Sequence, residues 1–313
     1  MSSRCLYCYL PLDEKEHDFH PKCSVKFFGA PTPPTFDLSK EKLEEMAKQL
    51  VARSVAVTGV QPKLSLTTEP INGDNKKLRL TIVGVMGGNF ILKPPSDQYP
   101  SLPENEDLTM HLAQLVGINT SEHSLIRLTS GELAYITKRF DRIKEEKLPC
   151  EDLCQLSEQL TEYKYRGSME KASKTIKQYS DFPMLDVVNF FELAVFSFVT
   201  GNADMHLKNF SILKNTTGNY RLSPCYDLLS TRLADDNPEE MALTINGRTN
   251  KITRKDFEVF GSNIGLTSKQ LETVFSKLAA KRKDMLEFIG ISFLPDDLKS
   301  AYAELIEQRL DRL

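Results

Sequence analysis

The spacing of apolar and polar positions differs along the chain and predicts two kinds of secondary structure. Between residues 54 and 140, short apolar runs are separated by turn residues, which is typical of β-strands. From residue 151 onward apolar residues recur mostly at helical spacing, and the run from Phe182 to Val199 is apolar on nearly every side. We therefore predict a strand-rich first half and a mainly helical second half with the 182–199 helix at its centre.

Individual elements follow from the same pattern and from capping residues. The run 78–85 and the run 89–93 flank Gly87-Gly88 and predict a hairpin whose second strand ends in Lys93. The runs 211–214 and 220–223 predict a second strand pair. Capping residues and apolar stripes predict further helices at 39–52, 104–117, after Thr253, after Thr267 and at 296–313.

Composition narrows the class of protein. Apolar residues make up 40% of the chain and charged residues 27%, as in ordinary globular proteins. The net charge of -3 argues against a chain that binds nucleic acid by itself, because phosphate binding needs a basic surplus. The start of the chain lacks the apolar segment of a secretory signal, and the 182–199 run carries Asp186, Asn189 and Glu192. We expect a cytoplasmic protein with no membrane span.

The first 30 residues contain two short pairs of metal-binding side chains. Cys5 and Cys8 form one pair, and His20 and Cys23 form the other, with His17 as a competing ligand. Four such ligands on two tight turns can complete a tetrahedral Zn²⁺ site with no position left for catalysis. The alternative is a set of reduced, unligated thiols. We predict a structural zinc knuckle, joined to the rest of the chain by a proline-rich spacer at 30–35.

The polar segment after the 182–199 helix carries the strongest chemical signal. Asp204 is followed five positions later by Asn209, and Asp227 lies 18 residues beyond that asparagine. Kinase-like enzymes space a catalytic carboxylate and two Mg²⁺ ligands in this way. The alternative is a polar turn after a buried helix, but these residue types are poor core residues.

The first half offers groups that could hold a nucleotide. Thr58, Gly59, Val60, Gln61 and Lys63 lie in a loop whose backbone amides could cradle phosphate oxygens, although an ordinary hairpin has a similar pattern. Lys93 ends a strand, like the kinase lysine that binds ATP phosphates and pairs with a helix glutamate. Both Glu104 and Glu106 are candidates for that glutamate, and a solvated surface lysine is the alternative.

In this order the motifs resemble the HipA family of bacterial serine/threonine protein kinases, which are toxins of toxin–antitoxin modules. The resemblance rests on seven segments between residues 51 and 229: Gly59-Val-Gln-Pro-Lys63, Phe90-Ile-Leu-Lys93, Pro103-Glu-Asn-Glu106, Lys138-Arg-Phe-Asp-Arg142, Glu151-Asp-Leu-Cys-Gln155, Gly201 to Ser211, and Ser223-Pro-Cys-Tyr-Asp227-Leu228.

The resemblance implies a fold and a role for each matching residue. The fold would be α+β and bilobal, like a protein kinase, with a nucleotide-binding N-lobe at 36–142 and a helical C-lobe at 143–313. In this chain the zinc knuckle predicted at 1–30 would precede the two lobes. Asp204 would be the catalytic base, in one loop with His206 and Lys208. Asn209 and Asp227 would bind Mg²⁺, and Lys93 would bind ATP. The implied phosphate loop spans 58–63, and the implied adenine hinge consists of Lys138, Arg139 and Phe140.

The chain departs from the family pattern in two places. About 50 residues precede the phosphate loop instead of a further subdomain, so the chain looks like a short form that a separate small protein complements in some operons. The serines that family members autophosphorylate before the loop glycine are replaced by Ala56, Val57 and Thr58. Thr58 is therefore the candidate for autophosphorylation.

The resemblance implies an ATP- and Mg²⁺-dependent kinase that phosphorylates a protein of the translation machinery, such as an aminoacyl-tRNA synthetase, and arrests growth. It also implies a helix-turn-helix antitoxin as partner. Two alternatives stay open. The catalytic loop also fits a small-molecule kinase, and the altered phosphate loop also fits a non-catalytic, kinase-shaped binding module.

Overall fold

The computed structural model describes residues 4–43, 45–46, 63–83, 87–143, 146–235 and 239–313. The chain divides into two compact units. Unit 1 comprises residues 1–107 and 121–139, and unit 2 comprises residues 108–120 and 140–313. Thr58, Gly59, Val60 and Gln61, predicted for the phosphate loop, lie outside the described residues. So does half of the predicted 39–52 helix. In its described part, residues 40–43 and 45–46 are helical.

Unit 1 is built on a five-stranded sheet with the order β2-β1-β3-β5-β4, in which every neighbouring pair is antiparallel. Its elements are α1 (Pro21–Phe28), β1 (Leu64–Ile71), β2 (Asp74–Val83), β3 (Phe90–Lys93), the start of α2 (Leu102–Leu115), β4 (His123–Arg127) and β5 (Leu133–Lys138). The division between the units falls within α2.

The predicted hairpin of 78–85 with 89–93 is wrong, although both segments contain strands. β1 lies between β2 and β3 and pairs with each of them. The actual hairpin joins β1 to β2 through Asn72 and Gly73, whose φ angles are 51° and 78°. An Asn-Gly pair favours this turn because both residues accept positive φ, and the turn matches the strand twist.

The N-terminal segment packs against the edge strand β4 of unit 1. The Leu125 amide donates to the Leu6 carbonyl over 3.3 Å, and the Arg127 guanidinium binds the Asp18 carboxylate at 2.9 Å. The Phe27 ring of α1 lies 5.6 Å from the Phe90 ring of β3. The segment therefore contributes to the core of unit 1.

Unit 2 is mainly helical. Its strands are β6 (Arg142–Ile143), β7 (Glu146–Lys147), β8 (Cys150–Asp152), β9 (Ser211–Lys214) and β10 (Tyr220–Leu222). Its helices are α3 (Leu153–Leu156), α4 (Met169–Tyr179), α5 (Pro183–Val199), α6 (Arg254–Asn263), α7 (Ser268–Ala280), α8 (Arg282–Gly290) and α9 (Asp296–Leu310), with single 3-10 turns at Thr161–Tyr163, Leu207–Asn209 and Thr231–Leu233.

The apolar helix α5 forms the centre of unit 2, as its sequence predicts. From Phe190 to Val199 every residue is buried, and the Phe191 ring lies 5.6 Å from the Phe260 ring of α6. The predicted strand pair is also confirmed, because β10 pairs with β9 and β9 pairs with β8. Thr253 and Thr267 both form capping boxes at the predicted helix starts.

None of the helices in the described ranges combines the length and the apolar character that crossing a membrane requires.

Candidate active site

The catalytic-loop candidate begins where α5 ends. Gly201 has a φ of 67°, and a Cβ at this position would lie 2.7 Å from the Leu305 side chain. Glycine is therefore required for the chain to turn sharply out of the buried helix. The residues that follow form an irregular polar loop that ends in the 3-10 turn at Leu207–Asn209.

Hydrogen bonds from Asn209 and Tyr165 help to hold Asp204 within this loop. The Asn209 side-chain amide donates to the Asp204 backbone carbonyl over 2.9 Å, so the two predicted functional residues are in direct contact. The Tyr165 hydroxyl donates to Asp204 Oδ1 over 2.5 Å. Burial and the hydrogen bond to Asp204 raise the pKa of Tyr165, so its hydroxyl stays protonated and acts as a donor. Tyr165 was not singled out by the sequence.

His206 lies close to both predicted acids. Burial lowers its pKa below the ordinary histidine value, although Asp204 and Asp227 both act to raise it. The Tyr165 ring packs edge-on against the imidazole, with 5.0 Å between the ring centres. Within the described part of the chain, His206 Nδ1 has no hydrogen-bond partner. The buried His206 ring therefore favours the neutral form, and it interacts with both Asp204 and Asp227.

Asp227 is held next to the loop by its neighbour Tyr226. The Tyr226 hydroxyl donates to the Lys208 carbonyl over 2.9 Å and lies 2.6 Å from the Ser211 hydroxyl. Asp227 itself has a φ of 56°, an uncommon conformation for a residue with a side chain. Backbone strain of this kind clusters at functional sites.

Lys208 forms an ion pair within unit 2 that attaches the catalytic loop to β8 and α3. Its ammonium group lies 2.7 Å from the Asp152 carboxylate, at the junction of β8 and α3. Asp152 also forms a capping box with Gln155 at the start of α3. The sequence marked 151–155 as a motif without giving a reason, and this ion pair to the catalytic loop supplies one.

In unit 1, Lys93 pairs with Glu106. Lys93 Nζ lies 2.5 Å from Glu106 Oε1, and the two side chains are only 4% and 1% exposed. Glu104, the second candidate, is not the partner of Lys93, and burial raises its pKa above the ordinary glutamate value. The structure thus selects Glu106 from the two glutamates that the sequence left open. The solvated surface lysine that was the alternative is excluded.

The predicted hinge residues make separate contacts. Lys138, at the end of β5, forms an ion pair with Glu122 and donates to the Lys26 carbonyl. The Arg139 amide donates to the Asn89 carbonyl over 2.8 Å. The Phe140 ring lies 5.3 Å from the Tyr226 ring in unit 2. Lys63 is exposed just before β1.

Cys5, Cys8, His20 and Cys23 meet in unit 1, with one ligand atom from each lying within 4.8 Å of all the others. His20 Nδ1 is 3.4 Å from Cys8 Sγ and 3.8 Å from Cys23 Sγ. Ligands about 2.3 Å from a zinc ion lie roughly 3.8 Å apart in a tetrahedron, so the spacing suits one. His20 Nε2 lies 3.0 Å from the Pro11 carbonyl and must donate to it, which leaves Nδ1 as a free ligand.

Comparisons with known proteins identify relatives of the chain. Residues 55–286 match the family model described as the HipA-like C-terminal domain. A Haemophilus influenzae protein named "Putative kinase" is 26% identical over 272 residues, which cover 78% of this chain and 77% of that protein. The "Serine/threonine-protein kinase toxin HipA" of Shewanella oneidensis is 26% identical over 252 residues, which cover 72% of this chain and 55% of that protein.

A solved structure shares the fold. It contains the toxin–antitoxin system of Shewanella oneidensis MR-1, with HipA, HipB and operator DNA. The superposition has a TM-score of 0.66 at 24% identity and covers 87% of this chain and 70% of that chain. The chain therefore has a mixed α/β, kinase-like fold.

Proposed function

The chain belongs to the HipA-like C-terminal domain family, and on this premise we propose that it is an ATP- and Mg²⁺-dependent serine/threonine protein kinase. The observation that carries the proposal is the arrangement around Asp204. Asn209 bonds directly to the Asp204 backbone, and Tyr226 ties the Asp227 segment to the same loop. A polar turn without a function would need neither the bond within the loop nor the one that holds a second acid beside it.

In this proposal Asp204 accepts the proton of the attacking serine or threonine hydroxyl. Tyr165 donates to one carboxylate oxygen and so fixes the orientation of the side chain, while the second oxygen stays available to the substrate. Lys208 is held by Asp152 and keeps the loop in place. Phosphoryl transfer depends mainly on such positioning.

The proposed Mg²⁺ ligands fit that ion chemically. Asp227 offers a carboxylate. The side-chain nitrogen of Asn209 donates to the Asp204 carbonyl, so the side-chain oxygen of Asn209 is the atom that would bind the ion. Mg²⁺ prefers oxygen ligands of these two types. When bound, the ion would supply positive charge that neutralises the phosphates of the nucleotide.

The same proposal assigns three groups of residues to the nucleotide. Lys93, which Glu106 holds in place, would bind phosphate oxygens of ATP. The segment 58–63 would form the phosphate loop, and 138–140 would bind the adenine. Thr58 is the proposed autophosphorylation site.

The biological setting is a further part of the proposal. A relative is named a kinase toxin, and the structure of similar fold holds HipA with HipB and operator DNA. We accordingly assign this chain a cytoplasmic role as a toxin that phosphorylates a protein of the translation machinery and arrests growth. Its partners would be a helix-turn-helix antitoxin and a small protein that resembles the additional subdomain.

The test is a transfer assay with γ-labelled ATP and Mg²⁺ in a lysate of the host. We expect a labelled protein band that disappears in Asp204→Ala and persists in Asp297→Ala, an exposed control acid on α9. Transfer only to added small alcohols would replace the proposal with a small-molecule kinase. Intact ATP binding without any transfer would replace it with a binding module. Phosphopeptide mapping of the same sample tests Thr58.

The N-terminal cluster is proposed to bind one structural Zn²⁺ through Cys5, Cys8, His20 and Cys23. Three thiolates and a correctly oriented imidazole form a common structural zinc set. Metal analysis of the purified protein should give about one zinc per chain, and Cys8→Ser should lose it. Cys150→Ser, which changes a cysteine outside the cluster, should keep it. A zinc-free wild-type protein would leave the cluster as reduced thiols.

A further inference from the structure

A buried hydrogen-bond network connects the N-terminal segment to helix α2. The Tyr9 hydroxyl donates to Asp107 Oδ2 over 2.8 Å, and His123 Nδ1 lies 2.6 Å from Asp107 Oδ1. Tyr9 and Asp107 are 0% exposed and His123 is 1% exposed. A buried carboxylate needs partners on both oxygens, and here one of them comes from the first ten residues of the chain.

Asp107, which binds the Tyr9 hydroxyl, is the next residue after Glu106, the partner of Lys93. Asp107 follows Glu106 on α2, so the two carboxylates leave the same helical turn in directions about 100° apart. Glu106 faces Lys93, and Asp107 faces Tyr9 and His123. A shift of this turn would move both carboxylates together, because the helix backbone is stiff on this scale.

The proposed zinc cluster in turn fixes Tyr9. Tyr9 follows the ligand Cys8, and its amide donates to the carbonyl of the ligand Cys5 over 2.9 Å. Its φ of 62° is costly for a tyrosine and persists only where the surrounding turn imposes it. The ring is fully buried, so the hydroxyl reaches Asp107 from a position that the metal-binding turn determines.

We propose that Tyr9 is a positioning residue through which the zinc-binding N-terminal segment holds the α2 turn that presents Glu106 to Lys93. The segment is then part of the nucleotide site's support as well as a folding unit. This inference rests on the proposed kinase function for its consequence in catalysis, and on the proposed zinc site for the rigidity of Tyr9.

The central test is Tyr9→Phe, which removes the hydroxyl and keeps the buried ring. We expect the variant to retain one zinc per chain, while amide exchange in residues 102–107 becomes about tenfold faster. The KM for ATP should rise about tenfold with a smaller change in kcat, the scale of one buried hydrogen bond to a charged group. Tyr7→Phe is the matched control, since Tyr7 lies in the same turn and packs on Phe27. It should change neither the exchange rate at 102–107 nor the KM for ATP.

A second variant separates positioning from simple loss of stability. If Tyr9 acts through Glu106, then Tyr9→Phe should add little to the KM defect of Glu106→Gln, whereas independent effects would multiply. Multiplying effects, or unchanged exchange at 102–107 in a zinc-loaded Tyr9→Phe protein, would overturn the inference. The exchange measurement needs no activity. A wild-type protein without phosphotransfer but with the Tyr9-dependent exchange would therefore refute the kinase proposal and still support the positioning role.

Discussion

At the scale of single residues, the base candidate Asp204 has an unexpected neighbour in Tyr165. The tyrosine comes from the segment before α4, and its hydroxyl takes one of the two carboxylate oxygens. An acid that must accept a proton in one direction benefits from a fixed rotamer. The contact therefore gives Tyr165 a role in orienting the base.

We predict that Tyr165→Phe lowers kcat for phosphotransfer about tenfold, because Asp204 loses a hydrogen bond to its charged form. The KM for ATP should not change, since Tyr165 is not among the residues that the proposal assigns to the nucleotide. Steady-state kinetics give both constants. Tyr163→Phe is the control, because Tyr163 is nearby in sequence and packs on Arg166 instead. A changed KM with normal kcat would contradict the assigned role.

The Lys93–Glu106 pair allows a second prediction, on stability. Glu106→Gln removes the carboxylate that pairs with the buried Lys93 ammonium, so the free energy of unfolding should fall by about 3 kcal/mol. Combining Lys93→Met with Glu106→Leu should restore most of this loss, because an apolar pair of similar volume suits a buried site. Denaturant unfolding measures both, and the combined variant should lose ATP binding because it lacks the Lys93 ammonium.

The control for the buried Lys93–Glu106 pair is an exposed ion pair. Glu69 and Arg79 bind each other at 2.9 Å on the surface of β1 and β2, where solvent screens the attraction. Glu69→Gln should therefore leave the unfolding midpoint nearly unchanged. Equal losses in Glu69→Gln and Glu106→Gln would show that burial of the Lys93 pair has no energetic weight.

The sequence identified the residues whose chemistry and spacing are local, but it missed their partners. Asp204, Asn209 and Asp227 are recognisable because five and 18 positions separate them in one stretch of chain. Tyr165 contacts Asp204 from 39 positions away, and Asp152 contacts Lys208 from 56 positions away. A tyrosine or an aspartate at such a distance has no spacing signal, because only the fold brings the two together.

At the scale of elements, the course of the backbone in unit 1 depends on a close approach at Gly88. Its φ is 80°, and a Cβ there would lie 2.5 Å from the Leu66 carbonyl oxygen of β1. The next residue, Asn89, donates its amide to that same oxygen over 2.9 Å. Gly88 thus lets the chain enter β3, at whose end Lys93 lies, in register with β1.

We predict that Gly88→Ala destabilises the protein by roughly 3 kcal/mol, through backbone strain and the clash with a main-chain atom. Gly73→Ala separates the two causes. Gly73 has a φ of 78°, but nothing lies within 4 Å of its Cβ position, so only about 1 kcal/mol of strain is expected. Urea unfolding of both variants measures the two losses of stability. Equal losses would show that the clash with the Leu66 carbonyl adds nothing to the backbone strain.

The identities of most elements were predictable because their signals are local, whereas strand partners were not. The apolar run at 182–199 and the capping boxes at Thr253 and Thr267 are readable in a few residues. The predicted hairpin is wrong because an apolar run indicates a strand but does not indicate which strand it pairs with. The local signal for the pairing that forms is the Asn72-Gly73 turn, not Gly87-Gly88.

At the scale of the whole molecule, the N-terminal segment was expected to be a small knuckle ahead of a spacer. In the structure its apolar residues are buried in unit 1, among them Leu6, Tyr9, Phe19, Phe27 and Phe28. Thr35 at the end of the proline-rich run forms a bridge with Arg79 of β2. Such packing is not visible in a sequence of only 30 residues, because its partners, such as Phe90 and Leu125, lie far along the chain.

This arrangement predicts how zinc removal affects the protein. Structural zinc sites contribute about 10–16 kcal/mol, which is as large as the whole stability of a typical domain. Chelation should therefore deprotect amides of β4 and β5, which adjoin the N-terminal segment in unit 1. Amides of α5 should keep their protection, because the aromatic core of unit 2 contains no residue of the cluster. Hydrogen exchange with and without chelator, and in Cys8→Ser against Cys150→Ser, measures this. Equal loss of protection in β4 and α5 would show that the two units unfold as one, and unchanged protection in both would show that the segment folds without metal.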